Sequence, residues 1–265
     1  MSPPRFKEAA QHLLDAHARR ERFGKLPEGL SPTSAEQAYA IQDAYVALRA
    51  QKLGGIAGYK IALASPEMQR FVGVDQPQAG AMLESTLRRT PALVHAADYV
   101  TLIIEFEIAV QMAEDLPAAD APFMRERVAK AVGAVMPALE LADERGADYA
   151  ELRNHPYELI ADNAWNEGAV LGYPIAEWQG IDLAAARGRA TINGKPVGEG
   201  RGGDAMGHPF NSVAWIADHL AANGRGLLRG DVVITGSIIT SKRVAAGDLV
   251  KFSVDGLGDV ELRVD

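Results

Sequence analysis

Residues 101–112 read TLIIEFEIAVQM, an apolar run that carries two carboxylates two positions apart, Glu105 and Glu107. Ile103, Ile104, Phe106, Ile108 and Val110 give it the β-branched and aromatic bias of a strand. Side chains alternate faces along a strand, so Glu105 and Glu107 point the same way, with Ile103 and Ala109. Ile104, Phe106 and Ile108 then point the other way, into core. Two like charges on one face of so apolar a run repel each other and resist desolvation unless something positive sits between them. A divalent cation resolves that conflict; a solvated strand face resolves it equally well for this stretch taken alone.

Two further runs share the oddity. Residues 55–63, GIAGYKIAL, form a short strand with Lys60 in its middle, either snorkelling outward or placed for a purpose. Residues 135–141, VMPALEL, are apolar and contain a third carboxylate, Glu140. Glu105, Glu107 and Glu140 together make an oxygen-rich ligand set suited to Mg²⁺ or Mn²⁺, with Ca²⁺ as an alternative. Zinc would normally bring a histidine or cysteine, and none stands in these runs. A hard cation with open positions suits chelation of a 2-oxo or enol acid, with Lys60 pairing with the substrate carboxylate or assisting proton transfer.

Composition excludes other classes. The chain has 265 residues and a net charge of -8, so nucleic acid is an unexpected partner. No run is long and apolar enough for a membrane span, and the N-terminus MSPPRFKEAAQ lacks the apolar core of a secretory signal. Zero cysteines exclude disulfides and thiolate chemistry and fit a cytoplasmic location.

The hydrophobic periodicity predicts a helix over 5–22 and a second, capped by Ser34 or Thr33, over 35–52, ended by Gly54-Gly55. His12 and His17 read as surface or packing residues of the first helix. Residues 66–71 read as a helical turn, 73–80 as a turn-rich loop, 84–91 as a polar stretch and 123–135 as a helix. Asn193-Gly194 predicts a hairpin, residues 198–209 a glycine-rich loop before a helix at 210–222, and the C-terminal third four strands. Helices come early and strands follow in irregular order, which is α+β rather than repeated βαβ units. Residues 1–54 read as an N-terminal helical appendage and 55–265 as one compact metal-binding part.

The runs GYKIAL, GVDQPQAG, IEFEIAVQM, MPALEL, IADNA and GHPFNSVAW occur in this order. In order and spacing the chain resembles the 2-keto-4-pentenoate hydratase and 4-oxalocrotonate decarboxylase branch of the fumarylacetoacetate hydrolase superfamily. The resemblance covers nearly the whole chain. It implies a mixed β-roll with N-terminal helices, a divalent metal on Glu105, Glu107 and Glu140, and assembly into dimers or larger oligomers. It also implies a small 2-oxo or 2-hydroxy-dienoic acid substrate drawn from aromatic-compound breakdown. The family lysine falls on Lys60, Asp162 and Asn163 fall near the site, and Asp75 and Gln78 are candidate substrate contacts in the GVDQPQAG run. From its own chemistry Trp165, with Phe71 and Met82, is a candidate to line an apolar tail pocket. His208 reads as structural. The chain departs from the pattern where the hydratases carry an aspartate and it has Gln78. It departs again after IADNA, where Trp165 replaces a small polar residue. Glutamine cannot exchange protons as a carboxylate does, which leans toward the decarboxylases. Hydration of a 2-hydroxy-2,4-dienoate to a 4-hydroxy-2-oxoacid is the first expectation. Decarboxylation, acylpyruvate-type C–C hydrolysis and a non-catalytic subunit of a complex follow in that order.

Overall fold

The computed structural model describes residues 1–265, the side chains of residues 3 and 4 aside. Helices α1 (Pro3–Ala18) and α2 (Ala35–Leu53) come first. Then come β1 (Ile56–Ala62), α3 (Pro66–Val72), β2 (Gln78–Leu83), β3 (Leu87–Arg89), β4 (Ala92–Val94) and β5 (Leu102–Met112). The middle of the chain forms α4 (Arg125–Ala131), β6 (Val132–Asp143), α5 (Pro156–Ala161) and β7 (Asn166–Leu171). The last third forms β8 (Arg187–Ile192), β9 (Lys195–Arg201), α6 (Pro209–Ala221), β10 (Val232–Ile234), β11 (Ile239–Arg243), β12 (Leu249–Val254) and β13 (Gly258–Val264). None of the described helices is long and apolar enough to cross a membrane.

The strands build two sheets. The larger has the order β2-β1-β10-β5-β6-β7-β3, with β11 also pairing β5; the smaller has the order β4-β13-β12-β8-β9. Both parallel and antiparallel pairs occur in each, so the class is α+β with mixed sheets, as the patterning indicates. Alternation along β5 sorts the core. Ile104, Phe106 and Ile108 enter the main core with Val250 and Phe252 of the small sheet and Val213 and Ile216 of α6. Phe106 meets Phe252 edge-on at 5.5 Å between ring centroids. The opposite face of the large sheet holds a smaller apolar cluster, with Met82, Ala109, Met136, Ala169 and Ile234, and the charged residues of the site.

Helices α1 and α2 pack on each other through Ala9, Leu13, Ile41 and Tyr45. Gln42 of α2 ties them to the strands, its Nε2 donating to the carbonyls of Ala79 (2.9 Å) and Ile160 (2.7 Å). Ser34 caps α2 by accepting from the Gln37 N–H.

Several local expectations need correction. Helix α1 stops at Ala18 because Arg20 turns left-handed, with φ at 58°. The stretch 73–80 is a turn only at its start, since Gln78 already begins β2. Ala79 and Gly80, at its end, lie buried against β1. The stretch 84–91 holds a 3₁₀ turn and strand β3. The helix expected over 123–135 is only the short α4; from Val132 the chain pairs with β5 along twelve residues of β6, and that pairing overrides local propensity. The glycine-rich run 198–209 begins as β9, completing the Asn193-Gly194 hairpin, in which both turn residues have positive φ.

Candidate metal centre

The site is assembled from four strands. In the β5–β6 pair Glu105 stands directly opposite Glu140, and Glu107 opposite Ala138. Opposed residues on an antiparallel pair lie about 5 Å apart at Cβ, so the three carboxylates are forced together by register alone. Their oxygens lie within 4.8 Å of one another. Glu107 and Glu140 are fully buried, and Glu105 is part-exposed.

Lys60 reaches them from β1, its Nζ 2.8 Å from Glu140 Oε1. The sheet order places β10 and β5 between β1 and β6. On a flat sheet those strands would be roughly 14 Å apart before any offset along their length. Closing that span shows that the large sheet rolls inward on its charged face. Lys60 also donates to the carbonyl of Ala164 (3.1 Å). Gly80 faces Lys60 across β1–β2, and a Cβ there would come 2.9 Å from Lys60 Cγ and 2.9 Å from the Asn163 carbonyl oxygen. Only a glycine leaves the lysine its channel.

Two donors fix the carboxylates. The Gly236 N–H donates to Glu107 Oε2 (2.7 Å), and Asn166 Nδ2 donates to Glu140 Oε1 (2.9 Å). Glu107 Oε1 and Glu140 Oε2 are buried with no hydrogen-bond partner. Burial, reinforced by the charge of Glu140, lifts the Glu105 carboxyl to about 7 and pushes that of Glu107 well above its usual range. Burial works against the Lys60 charge, but Glu140, Glu105 and Glu107 outweigh it and hold the ammonium above its ordinary range. Three carboxylates share a single lysine, and two buried oxygens are left without a donor. A hard divalent cation fits this donor set, with Glu105, Glu107 and Glu140 as its ligands.

Lys60 and Glu105 line a cleft of about 440 Å³, with Glu107 and Glu140 behind them. The rest of its lining comes from α3, the segment 149–165 and the segment 236–241. Trp165 is in that lining, and so is Ala164. Asn163, Ala164 and Trp165 form three successive left-handed residues, with φ of 53°, 47° and 63°. Such residues cost about 1–3 kcal/mol each and persist only where surroundings impose them.

Asp162 and Asn163 do not reach the cleft; they supply that imposition. Asn163 brackets β2, accepting from the Ala81 N–H and donating to its carbonyl, both at 2.8 Å. Asp162 is buried between Arg145 and His17 of α1, with His17 Nε2 at 2.6 Å. Burial resists its charge, yet His17 and Arg145 hold the carboxyl below the usual carboxylate range. His17, legible only as a packing residue, is thus a hydrogen-bonding partner of a residue 145 positions away. Gln78 shares the Lys60 face of β1–β2, its Nε2 donating to the Pro156 carbonyl (3.2 Å) and its Oε1 without a partner. Asp75 is exposed in the turn between α3 and β2. Met82 belongs to the small apolar cluster, and Phe71 is exposed near Tyr149. His208 caps α6 by accepting from the Phe210 N–H. Asn166 and Gly236 carry no mark in the sequence, because their role depends on which strand end meets which carboxylate.

Residues 63–265 match the family model for the C-terminal part of fumarylacetoacetate hydrolase. The chain belongs to the fumarylacetoacetate hydrolase family. Within this family it is 32% identical over 259 residues to a 2-keto-4-pentenoate hydratase of Paraburkholderia phymatum, covering 97% of this chain and 96% of that one. A 2-hydroxyhexa-2,4-dienoate hydratase of Comamonas testosteroni is 30% identical, with 99% of both chains covered. Among solved structures, 4-oxalocrotonate decarboxylase from Pseudomonas putida G7, complexed with magnesium and adipate, superposes with a TM-score of 0.91 at 26% identity. That match covers 100% of this chain and 99% of the other.

Proposed function

We propose that the protein is a divalent-metal-dependent hydratase that converts 2-hydroxy-2,4-dienoates into 4-hydroxy-2-oxoacids, with Mg²⁺ or Mn²⁺ on Glu105, Glu107 and Glu140. The observation that carries this reading is the three-carboxylate cluster with two buried, unpartnered oxygens at the closed end of a cleft. The whole-length likeness to chains named as hydratases selects the reaction. When bound, the cation supplies Lewis acidity toward the carboxylate and 2-oxygen of the substrate.

The chain's own residues supply the rest. Lys60 Nζ has two of its N–H bonds engaged, by Glu140 and by the Ala164 carbonyl, and one left for the substrate acid or for a proton in transit. The rolled sheet keeps Lys60, Glu107 and Glu140 out of bulk water. Gln78 shares the Lys60 face of β1–β2 but is buried, with its amide on the Pro156 carbonyl, and as an amide it cannot carry a proton away. Residues 1–54 buttress the catalytic part, 55–265, through His17 and Gln42. Assembly into dimers or larger oligomers belongs to the same reading.

Decarboxylation of a 4-oxalocrotonate-type diacid is the second reading, favoured by Gln78 and by the TM-score of 0.91 with the decarboxylase. Metal-stripped protein is resupplied with Mg²⁺ or Mn²⁺ and offered 2-hydroxypenta-2,4-dienoate and 4-oxalocrotonate in parallel. Metal-dependent loss of dienol absorbance without CO₂ is expected. CO₂ from the diacid alone makes it a decarboxylase, and inactivity on both refutes both readings.

A further inference from the structure

The cleft has a second end, and its chemistry is unlike the first. Beyond Glu105 its walls are formed by Leu63, Met68, Val72, Leu152, Leu159 and Trp165. Trp165 is held edge-on against Phe23 (5.1 Å) and Tyr149 (6.2 Å), so that wall is rigid. Among the described residues lining the cleft the only cation is Lys60, already committed to Glu140. The other charges on the lining are acidic: Glu67 at the start of α3, and Asp204. Arg243 lies close by on β11 but is paired with the buried Glu144, which also accepts from the Tyr149 hydroxyl at 2.6 Å.

We propose that the substrate is a monocarboxylate whose far end is an uncharged alkyl or aryl tail, and that Glu67 and the Trp165 wall exclude substrates with a second, distal carboxylate. This rests on the functional reading above, in which the three glutamates mark the end that takes the 2-oxo acid. A tail reaching from that end lies against an apolar wall, and the other charged side chains on the lining, Glu67 and Asp204, are carboxylates. A distal carboxylate there would lose its hydration, find no cationic partner and face like charges. An apolar tail gains by burial, and the 440 Å³ cleft has room for more than a terminal vinyl group.

The test is calorimetric binding to Mg²⁺-loaded protein of a homologous series of unreactive 2-oxo acids: 2-oxobutanoate, 2-oxohexanoate, 2-oxooctanoate and the diacid 2-oxosuberate. Affinity should rise about fourfold per methylene until the wall is filled. The diacid should bind at least about tenfold more weakly than 2-oxooctanoate. In Glu67→Lys, at an exposed position, that gap should narrow, and a gap as wide as in the parent overturns the part given to Glu67. Turnover should follow, with 2-hydroxyhexa-2,4-dienoate preferred over 2-hydroxymuconate. Equal or tighter binding of 2-oxosuberate overturns the tail assignment and leaves the hydratase reading standing. Failure of every 2-oxo acid to bind, with Mg²⁺ bound, refutes both together.

Discussion

Glu107 shows how one side chain can be costly to the fold and necessary to the site. It is fully buried beside two other carboxylates, with one oxygen held by the Gly236 N–H and the other unpartnered. Glu107→Gln removes a charge but keeps the shape and the acceptor for Gly236. The chelated variant is therefore expected to melt no lower than the chelated parent, while Mg²⁺ affinity by calorimetry falls at least about tenfold and turnover is lost. Unchanged Mg²⁺ affinity would remove Glu107 from the ligand set. Lys60 is constrained from the opposite side by Gly80. In Gly80→Ala the new Cβ meets the Asn163 carbonyl as well as the lysine stem, and a backbone oxygen in that position cannot swing aside. Overpacking of this kind costs about 1–3 kcal/mol, read as a lowered urea midpoint. The displaced Lys60 should lower kcat more than it changes Mg²⁺ binding. A variant with full kcat would show that the lysine has slack.

At the scale of elements, the left-handed turn 163–165 links the N-terminal helices to the chemistry. It presents the Ala164 carbonyl to Lys60 and Trp165 to the cleft, and Asp162 anchors it to Arg145 and to His17 of α1. Asp162→Asn leaves Arg145 buried without its counter-charge, so a loss of about 3 kcal/mol in stability is expected from urea unfolding. Because the Asp162 carboxyl is held below its usual 3.8, its contribution is complete above that pH and disappears as pH falls through the lower, folded value. The parent should thus show an acid-limb loss of stability that the variant lacks; superposable acid limbs would refute the anchor. This turn also marks the limit of what the sequence conveys. The three glutamates are legible because a carboxylate in an apolar, β-branched run conflicts with its neighbours, and Lys60 is legible for the same reason. The strand patterning of 101–112 and the Asn193-Gly194 turn are local facts and survive folding. The His17–Asp162 pair, the Asn166 donor and the rolling of the sheet depend on residues far apart in sequence whose local surroundings are ordinary. The 123–135 stretch misleads because local propensity cannot see that β5 is waiting for a partner.

At the scale of the whole molecule, a cation on these carboxylates would be coupled to stability through their protons. In the folded, metal-free chain Glu105 is lifted from its ordinary 4.5 to about 7, and Glu107 is raised well above its ordinary value by burial and by Glu140 and Glu105. A carboxyl whose folded value is raised binds its proton more tightly in the fold than in the unfolded chain. Between about 4.5 and 7 the folded state therefore holds more protons, and metal-free stability falls as pH rises through that window. A divalent ion needs those carboxylates ionised, so its binding releases the protons and its affinity climbs across the same window. The two trends oppose each other in the loaded protein. At a hundredfold excess over Kd, bound Mg²⁺ adds about 2.7 kcal/mol to the unfolding free energy. The expected result is a gap in melting temperature between Mg²⁺-loaded and chelated protein that is small at pH 5 and widens toward pH 7.5, with the chelated curve falling and the loaded curve nearly level. In Glu107→Gln the chelated curve should be flatter, because one of the proton-binding groups is gone, and the gap should close. A gap independent of pH would mean that the carboxylates are already ionised in the metal-free fold, and that Lys60 with the Gly236 and Asn166 donors suffices to balance them without a cation.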